Sequence, residues 1–164
     1  MDLNDYSLED LLLTAIKSEV EANELYSRLG ERVDSSFLKD RLEFIAKEEI
    51  KHREFLESIY KNHYPRKDIQ LPEKSAVPMP GMDIPENVAL VSEVISKAME
   101  GEKVASDFYL ALSEIYDGDD ETKKTLRYLS DMESGHYNLL EMEYNRLRDE
   151  EDYEIEWEMM HAGP

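Results

Sequence analysis

The chain of 164 residues contains no cysteine, which excludes disulfide frameworks, thiolate metal sites and thiol catalysis. The absence fits a reducing compartment. No stretch approaches the roughly 18 consecutive apolar residues that a membrane span requires. The N-terminal stretch "MDLNDYSLED" is acidic and lacks the basic and apolar regions of a signal peptide. We therefore expect a cytoplasmic protein.

Basic residues are few compared with acidic ones. The chain has 19 Lys and Arg against 39 Asp and Glu, a formal net charge of -20. A surface of this sign repels nucleic-acid phosphates and anionic membranes, and it attracts cations. We therefore expect neither nucleic-acid nor membrane partners. The length and the 41% hydrophobic content suit one domain with a substantial core.

Proline is confined to one internal region and the last position, since five of the six prolines lie between residues 65 and 85. The rest of the chain has helical periodicity. Four helices are predicted, at about 7–29 and 35–60, from near Pro85 to just before Gly118, and at about 121–148. Ser7 and Asp34 are candidate caps for the first two helices.

The long proline-rich connection and the short remaining loops predict an all-α fold of two antiparallel helical hairpins joined by a crossover. We assign residues 1–149 to a four-helix domain, with the crossover at about 61–85. Residues 150–164 form a C-terminal tail, either a short fifth element or an interface segment.

The two hairpins repeat one another in sequence. "AIKSEVEANELY" at 15–26 aligns with "AMEGEKVASDFY" at 98–109, and "EEIKH" at 48–52 aligns with "MESGH" at 132–136. The matching positions include a tyrosine in the first pair and a Glu-x-x-His in the second. We therefore expect the two halves of the chain to form the same kind of helical hairpin.

Each predicted helix has an apolar stripe with alternating spacings of three and four residues. Each stripe is interrupted near its middle by ionisable residues: Glu19, Glu49, His52, Glu102, Glu133 and His136. Burying an unpaired carboxylate costs several kcal/mol. Two divalent cations would balance the four carboxylates while both imidazoles stay neutral, as metal ligation requires.

The spacing supports metal ligation, because Glu-x-x-His places both side chains on one face of a helix, one turn apart. Each pair supplies one imidazole to one of two metals, and the two single glutamates complete the donor set. Such ligands suit iron or manganese, and zinc is possible. The alternative is that the helical phase is wrong and these residues face solvent.

Tyr26 and Tyr109 follow the single glutamates by seven residues on the same face. Each is either an amphipathic core tyrosine or the donor of a hydrogen bond to a ligand carboxylate. His63 is predicted at the surface, and His161 is a tail residue rather than a ligand. Trp157, Met159 and Met160 are predicted to pack, either on this bundle or on a partner.

The pattern of two single glutamates and two Glu-x-x-His pairs resembles the ferritin-like di-iron carboxylate superfamily, most closely the rubrerythrin group. The resemblance covers about residues 7–148. It implies a ferritin-like four-helix bundle with two iron ions bridged by Glu49 and Glu133. The terminal ligands would be Glu19 with His52 and Glu102 with His136. The implied activity is oxidation of Fe(II), or reduction of O2 or H2O2, in oxidative-stress defence or iron handling.

The chain differs from the rubrerythrin pattern at two points. It lacks the cysteines of a rubredoxin-like domain, so the electron donor would be a separate molecule such as a rubredoxin. Ala105 stands where rubrerythrins proper carry an extra glutamate, which makes the site more similar to that of bacterioferritins. The alternatives are an iron-sequestering protein with little turnover and a structural bundle that holds another divalent metal. The resemblance and the apolar tail residues favour a homodimer.

Overall fold

A computed structural model describes residues 3–74, 77 and 90–161, and over these residues the secondary structure is helical without strands. The four helices are α1 (Leu8–Arg32), α2 (Ser36–His63), α3 (Val91–Ile115) and α4 (Asp120–His161). α1 packs along α2, α3 packs along α4, and α2 also contacts α4. The all-α class with two helical hairpins is confirmed.

The helix starts agree with the predicted caps in one case and differ by one residue in the other. The Ser7 hydroxyl accepts a hydrogen bond from the Asp10 backbone N–H at 3.1 Å. The cap of α2 is Ser35 rather than Asp34, and its hydroxyl accepts from the Leu38 N–H at 3.4 Å. Ser35 is the residue that keeps an extended backbone immediately before the helix, which is what capping requires. The start predicted near Pro85 lies outside the described residues.

The fourth helix is longer than predicted, because it does not end near Arg148 but continues to His161. Residues 149–161 contain neither glycine nor proline and are rich in glutamate and methionine, which favour helix. The tail is therefore, as far as His161, a continuation of α4 and not a separate element. Among the helices that the structure describes, none is both long and apolar enough to cross a membrane.

A carboxylate on the continuation of α4 caps the start of α3. Glu151 accepts hydrogen bonds from the Ser92 hydroxyl at 2.6 Å and the Ser92 backbone N–H at 3.3 Å. The residue at the cap position, Leu90, makes no side-chain cap. The negative charge of Glu151 also interacts favourably with the positive end of the helix dipole at the start of α3.

We therefore expect Glu151→Ala to lower the free energy of unfolding by about 1 kcal/mol and the melting temperature by about 2–4 °C. Thermal denaturation followed by circular dichroism measures the change. Glu141→Ala, at an exposed position of the same helix, is the control. Equal shifts in the two variants would show that the contact between Glu151 and Ser92 contributes nothing specific.

Two apolar layers form the core, one toward each end of the bundle. The first contains Leu12, Leu56, Leu112 and Leu126 among others. The second contains Leu25, Leu42, Ile95 and Leu140 among others. Each layer takes side chains from all four helices, so the middle of the bundle is enclosed by hydrocarbon on both sides.

Candidate metal centre

The six ionisable residues predicted from the helix stripes come together between the two apolar layers. Each is 3% exposed or less: Glu19, Glu49, His52, Glu102, Glu133 and His136. Off-stripe glutamates do not join them, since Glu21 pairs with Lys17 and Glu48 with Lys51 at the bundle surface. The helical phase predicted from sequence is correct, and the alternative that these residues face solvent is wrong.

Each imidazole faces three carboxylates. His52 Nδ1 lies 2.9 Å from Glu133 Oε1, 3.2 Å from Glu49 Oε2 and 3.6 Å from Glu19 Oε2. His136 Nδ1 lies 3.1 Å from both Glu49 Oε1 and Glu133 Oε2, and 3.7 Å from Glu102 Oε2. The two environments are nearly equivalent, as the repeat of the hairpin in the sequence leads one to expect.

The cluster divides into two overlapping groups of potential ligands. One group is Glu19, Glu49, His52 and Glu133, and the other is Glu49, Glu102, Glu133 and His136. Within each group one donor atom per residue lies within 4.8 Å of the others. Glu49 and Glu133 belong to both groups. This is the same division into shared and unshared carboxylates that the resemblance implies.

Several buried polar atoms of the cluster make no hydrogen bond of good geometry, although His52 Nδ1 lies 2.9 Å from Glu133 Oε1 and His136 Nδ1 lies 3.1 Å from Glu49 Oε1. The atoms without such a bond are Glu49 Oε1, Glu133 Oε1, His136 Nε2 and both ring nitrogens of His52. Buried polar atoms in folded proteins almost always have partners, and leaving one without costs about 1–3 kcal/mol. Unpaired carboxylate and imidazole atoms in one enclosed volume are the donors that a divalent cation would satisfy.

The pKa values of the two imidazoles show that the carboxylates of the metal-free cluster favour positive charge beside them. Burial opposes protonation of His136, but its contacts with Glu102, Glu133 and Glu49 outweigh burial and raise its pKa to about 12. The pKa of His52 is raised in the same way. Without metal, the imidazoles therefore hold protons that cations would displace.

Burial acts to raise the pKa of Glu49, Glu102 and Glu133, but the net pKa shifts of these carboxyl groups differ in direction. Burial raises the pKa of Glu102 to about 8, and burial together with Glu133 raises the pKa of Glu49 well above its ordinary value. Burial acts the same way on Glu133, but its hydrogen bond with His136 and its close contact with His52 lower its pKa to about 2. The metal-free cluster thus favours the protonated form of Glu102 at neutral pH, and burial shifts Glu49 in the same direction.

Two buried tyrosines hold the unshared carboxylates from the opposite hairpin. The Tyr26 hydroxyl on α1 donates to Glu102 Oε1 on α3, and the Tyr109 hydroxyl on α3 donates to Glu19 Oε1 on α1. The predicted hydrogen bonds from phenols to cluster carboxylates are confirmed. Burial, and next the charges of Glu102 and Glu19 respectively, raise the pKa of each phenol, so both remain donors.

We expect Tyr26→Phe and Tyr109→Phe each to weaken metal binding by about 10–100-fold, because the carboxylate that each phenol orients loses its support. The affinity is measured by competition with a chromogenic chelator. Tyr128→Phe, which removes an exposed hydroxyl, is the matched control. Unchanged affinity in both buried variants would show that the two phenols do not position the carboxylates.

The remaining candidates lie outside the cluster. His63 is exposed, with Nε2 2.5 Å from the Tyr116 hydroxyl. His161 stacks on Trp157 with ring centroids 3.9 Å apart, near the end of α4. Trp157 is 51% exposed and Met160 is 70% exposed, so neither is buried in the core of this bundle. The side chain of Met159 lies outside the described part.

Two further positions bear on the donor set. Ala105 is buried in the first apolar layer. This position therefore supplies no carboxylate in place of the extra glutamate that rubrerythrins proper carry there. Glu143 is a buried carboxylate that the sequence reasoning missed. Arg146 donates to it from two nitrogens at 3.1 and 3.2 Å, so Glu143 is already neutralised. The i,i+3 spacing of Glu143 and Arg146 was the available signal.

A four-helix bundle with a buried, doubled arrangement of glutamates and Glu-x-x-His pairs defines the ferritin-like class. The family model "Rubrerythrin" matches residues 10–144, which include all six cluster residues, and also residues 93–160. The chain therefore belongs to the rubrerythrin family.

A solved structure of a hypothetical protein from Pyrococcus furiosus is similar to this chain, with 36% sequence identity and a TM-score of 0.79. The similarity covers 90% of this chain and 94% of that one. No curated protein matches the chain.

Proposed function

We propose that this protein is a non-haem di-iron oxidoreductase that oxidises Fe(II) and reduces O2 or H2O2, in oxidative-stress defence or iron handling. The observation that carries the proposal is the pair of overlapping donor groups that share Glu49 and Glu133. Membership of the rubrerythrin family supports iron as the metal.

The donor set suits two divalent cations. Four carboxylates balance the charge of two such ions once the imidazoles are neutral. Glu19 and His52 would hold one ion, Glu102 and His136 the other, and Glu49 and Glu133 both. Carboxylate and imidazole ligands suit iron and manganese, with zinc possible.

The residues of the chain hold the centre in place and exclude water. When bound, two ferrous ions supply two electrons, which together with two protons reduce H2O2 to two water molecules or O2 to H2O2. The apolar layers keep bulk solvent away. Tyr26 and Tyr109 fix the orientation of Glu102 and Glu19.

Repeated turnover needs more electrons than the two that the metal pair supplies, and these 164 residues contain no cysteine for an iron–sulfur or thiol relay. A separate donor such as a rubredoxin is part of the proposal. The second candidate function is iron sequestration with little turnover. The observation that favours it is Ala105, which leaves the site without the extra carboxylate of rubrerythrins proper.

The test is to load the protein with two equivalents of Fe(II) without oxygen, add O2 or H2O2, and follow the remaining Fe(II) with a chelating dye. The proposal expects oxidation faster than for free Fe(II) and faster than with Glu49→Ala/Glu133→Ala. Reduced rubredoxin is then added with excess oxidant. Repeated oxidation supports the oxidoreductase, whereas one oxidation followed by retention of iron supports sequestration. Rates equal to those of the variant would reject both.

A further inference from the structure

Each hairpin contains a hydrogen bond from a side chain of one helix to the main chain of the other, next to the metal cluster. The Asn23 amide on α1 donates from Nδ2 to the Ala46 carbonyl on α2 at 2.7 Å. The Ser106 hydroxyl on α3 donates to the Ser130 carbonyl on α4 at 2.9 Å. Neither donor belongs to the two groups of potential metal ligands.

The two cross-helix hydrogen bonds occupy equivalent positions in the sequence repeat. Asn23 aligns with Ser106, and each lies four residues after an unshared glutamate of the cluster. Ala46 and Ser130 each lie three residues before a shared glutamate. Three or four residues make about one helical turn. Each bond therefore connects the turn that follows an unshared ligand to the turn that precedes a shared one.

The recurrence of this bond distinguishes it from an ordinary contact between packed helices. The donor is an amide in one half of the chain and a hydroxyl in the other, yet both reach the same main-chain position. A single bond of this kind would need no explanation beyond helix packing. Two at matching positions, each one turn from a cluster carboxylate, indicate that the placement of the helices is fixed at this level.

A hydrogen bond to a main-chain carbonyl fixes one helix relative to the backbone of another. A carbonyl oxygen that accepts the bond of its own helix has a second lone pair for such a donor. Hydrogen bonds are short and directional, so sliding or separating the helices by about 1 Å would break this one. Ala46 and Ser130 are both buried, so water competes little for the two carbonyls.

The cluster is the level at which this fixation has the most effect, because carboxylates replace hydrocarbon between the helices there. Burial, and next the charges of Glu133 and Glu19, raise the pKa of Glu49, which shows that these groups repel one another. Glu19 on α1 and Glu49 on α2 therefore push their helices apart. The hydrogen bond from Asn23 opposes that separation.

The second cross-helix hydrogen bond is part of a small network of hydroxyl groups. Ser106 Oγ lies 3.1 Å from Ser130 Oγ and 2.9 Å from Ser134 Oγ. The Ser106 hydroxyl has one hydrogen, which it donates to the carbonyl, so it is free to accept from these neighbours. Ser134 is adjacent in sequence to Glu133, so the network extends to the residue beside a shared ligand.

We propose that Asn23 and Ser106 are positioning residues of the metal centre, each setting the distance between the unshared and the shared carboxylate of its own hairpin. Asn23 acts on the ion beside Glu19, in the first hairpin. Ser106 acts on the ion beside Glu102, in the second. This inference rests on the metal binding in the proposed function and not on its redox activity.

The test compares Asn23→Ala, Ser106→Ala and the double variant after loading with isotopically enriched Fe(II) without oxygen. In Mössbauer spectra, each single variant should change the quadrupole splitting of about half of the iron, and the double variant that of all of it. Titration with Mn(II) should show binding of one ion weakened about 10-fold in each single variant, and of both ions in the double variant.

The control for the hydroxyl is Ser113→Ala, because the Ser113 hydroxyl donates to the Leu110 carbonyl of its own helix at 2.7 Å. The control for the amide is Asn138→Ala at an exposed position of α4. Both controls should keep the wild-type affinities. Ser106→Thr retains the hydroxyl and should keep them as well. Helix content by circular dichroism should be equal in all variants.

Affinities and spectra of Asn23→Ala and Ser106→Ala that match those of the controls would overturn the positioning role. So would equal changes at both ions in each single variant, which a general loosening of the bundle produces. A wild-type chain that binds two ions but does not oxidise them would reject the oxidoreductase alone. A wild-type chain that binds no metal would reject the centre and the positioning role together.

Discussion

Glu49→Ala/Glu133→Ala is expected to reduce the metal content from about two ions per chain to nearly none. Both donor groups lose two of their four residues in this variant, because Glu49 and Glu133 belong to both groups. Glu19→Ala and Glu102→Ala each remove a residue from one group only. These single variants should therefore retain one ion, with weakened binding of the other.

The metal content is measured by elemental analysis of protein expressed with iron and purified without chelator. Glu48→Ala is the matched control, since Glu48 is adjacent to Glu49 but pairs with Lys51 outside the cluster. Glu49→Gln/Glu133→Gln retains the side-chain shape and separates loss of charge from loss of packing. Full metal content in both double variants, or equal losses in all single variants, would contradict the shared role of Glu49 and Glu133.

The second large effect is on stability: loading with Fe(II) or Mn(II) is expected to raise the melting temperature by about 15–30 °C. A ligand at 1,000 times its Kd stabilises the folded state by about 4 kcal/mol per site, and each kcal/mol shifts the melting temperature by about 2–4 °C at this chain length. The structural basis is the set of unpaired buried atoms in the cluster. Calorimetry of metal-free and loaded protein without oxygen measures the difference. No shift with two bound ions would show that the metals bind outside this cluster.

This metal-dependent stabilisation should be larger at about pH 8 than at about pH 6. Without metal, His136 has a raised pKa of about 12, so its protonation stabilises the fold fully below its unfolded pKa of about 6.5 and less as the pH rises toward 12. Glu102, with its pKa raised to about 8, acts in the same direction between about pH 4.3 and pH 8.

The lowered pKa of Glu133, about 2, affects stability only as the pH falls below about 4.3. The metal-free protein should therefore lose stability from about pH 6 to about pH 8. Metal binding, which displaces protons, strengthens over the same interval. Melting curves of both forms at the two pH values measure the effect, and a difference that narrows with rising pH would contradict it.

Local patterns were enough to predict the helices and the members of the cluster. Glu49 and His52 could be assigned to a buried face because the apolar positions on either side of them follow the helical repeat. The hairpin repeat then identified Glu133 and His136 as their counterparts. The end of α4 was predicted wrongly, because the acidic composition of residues 149–161 was read as a tail although the segment contains no helix breaker.

The sequence by itself determined which residues face the core, because the repeat of an α-helix relates spacing along the chain directly to side-chain direction. Only the tertiary structure decided which residues meet across helices. The crossed hydrogen bonds from Tyr26 to Glu102 and from Tyr109 to Glu19 depend on how one hairpin is placed against the other. The relative position of two helices arises from the packing of many side chains at once, and no spacing within one helix encodes it.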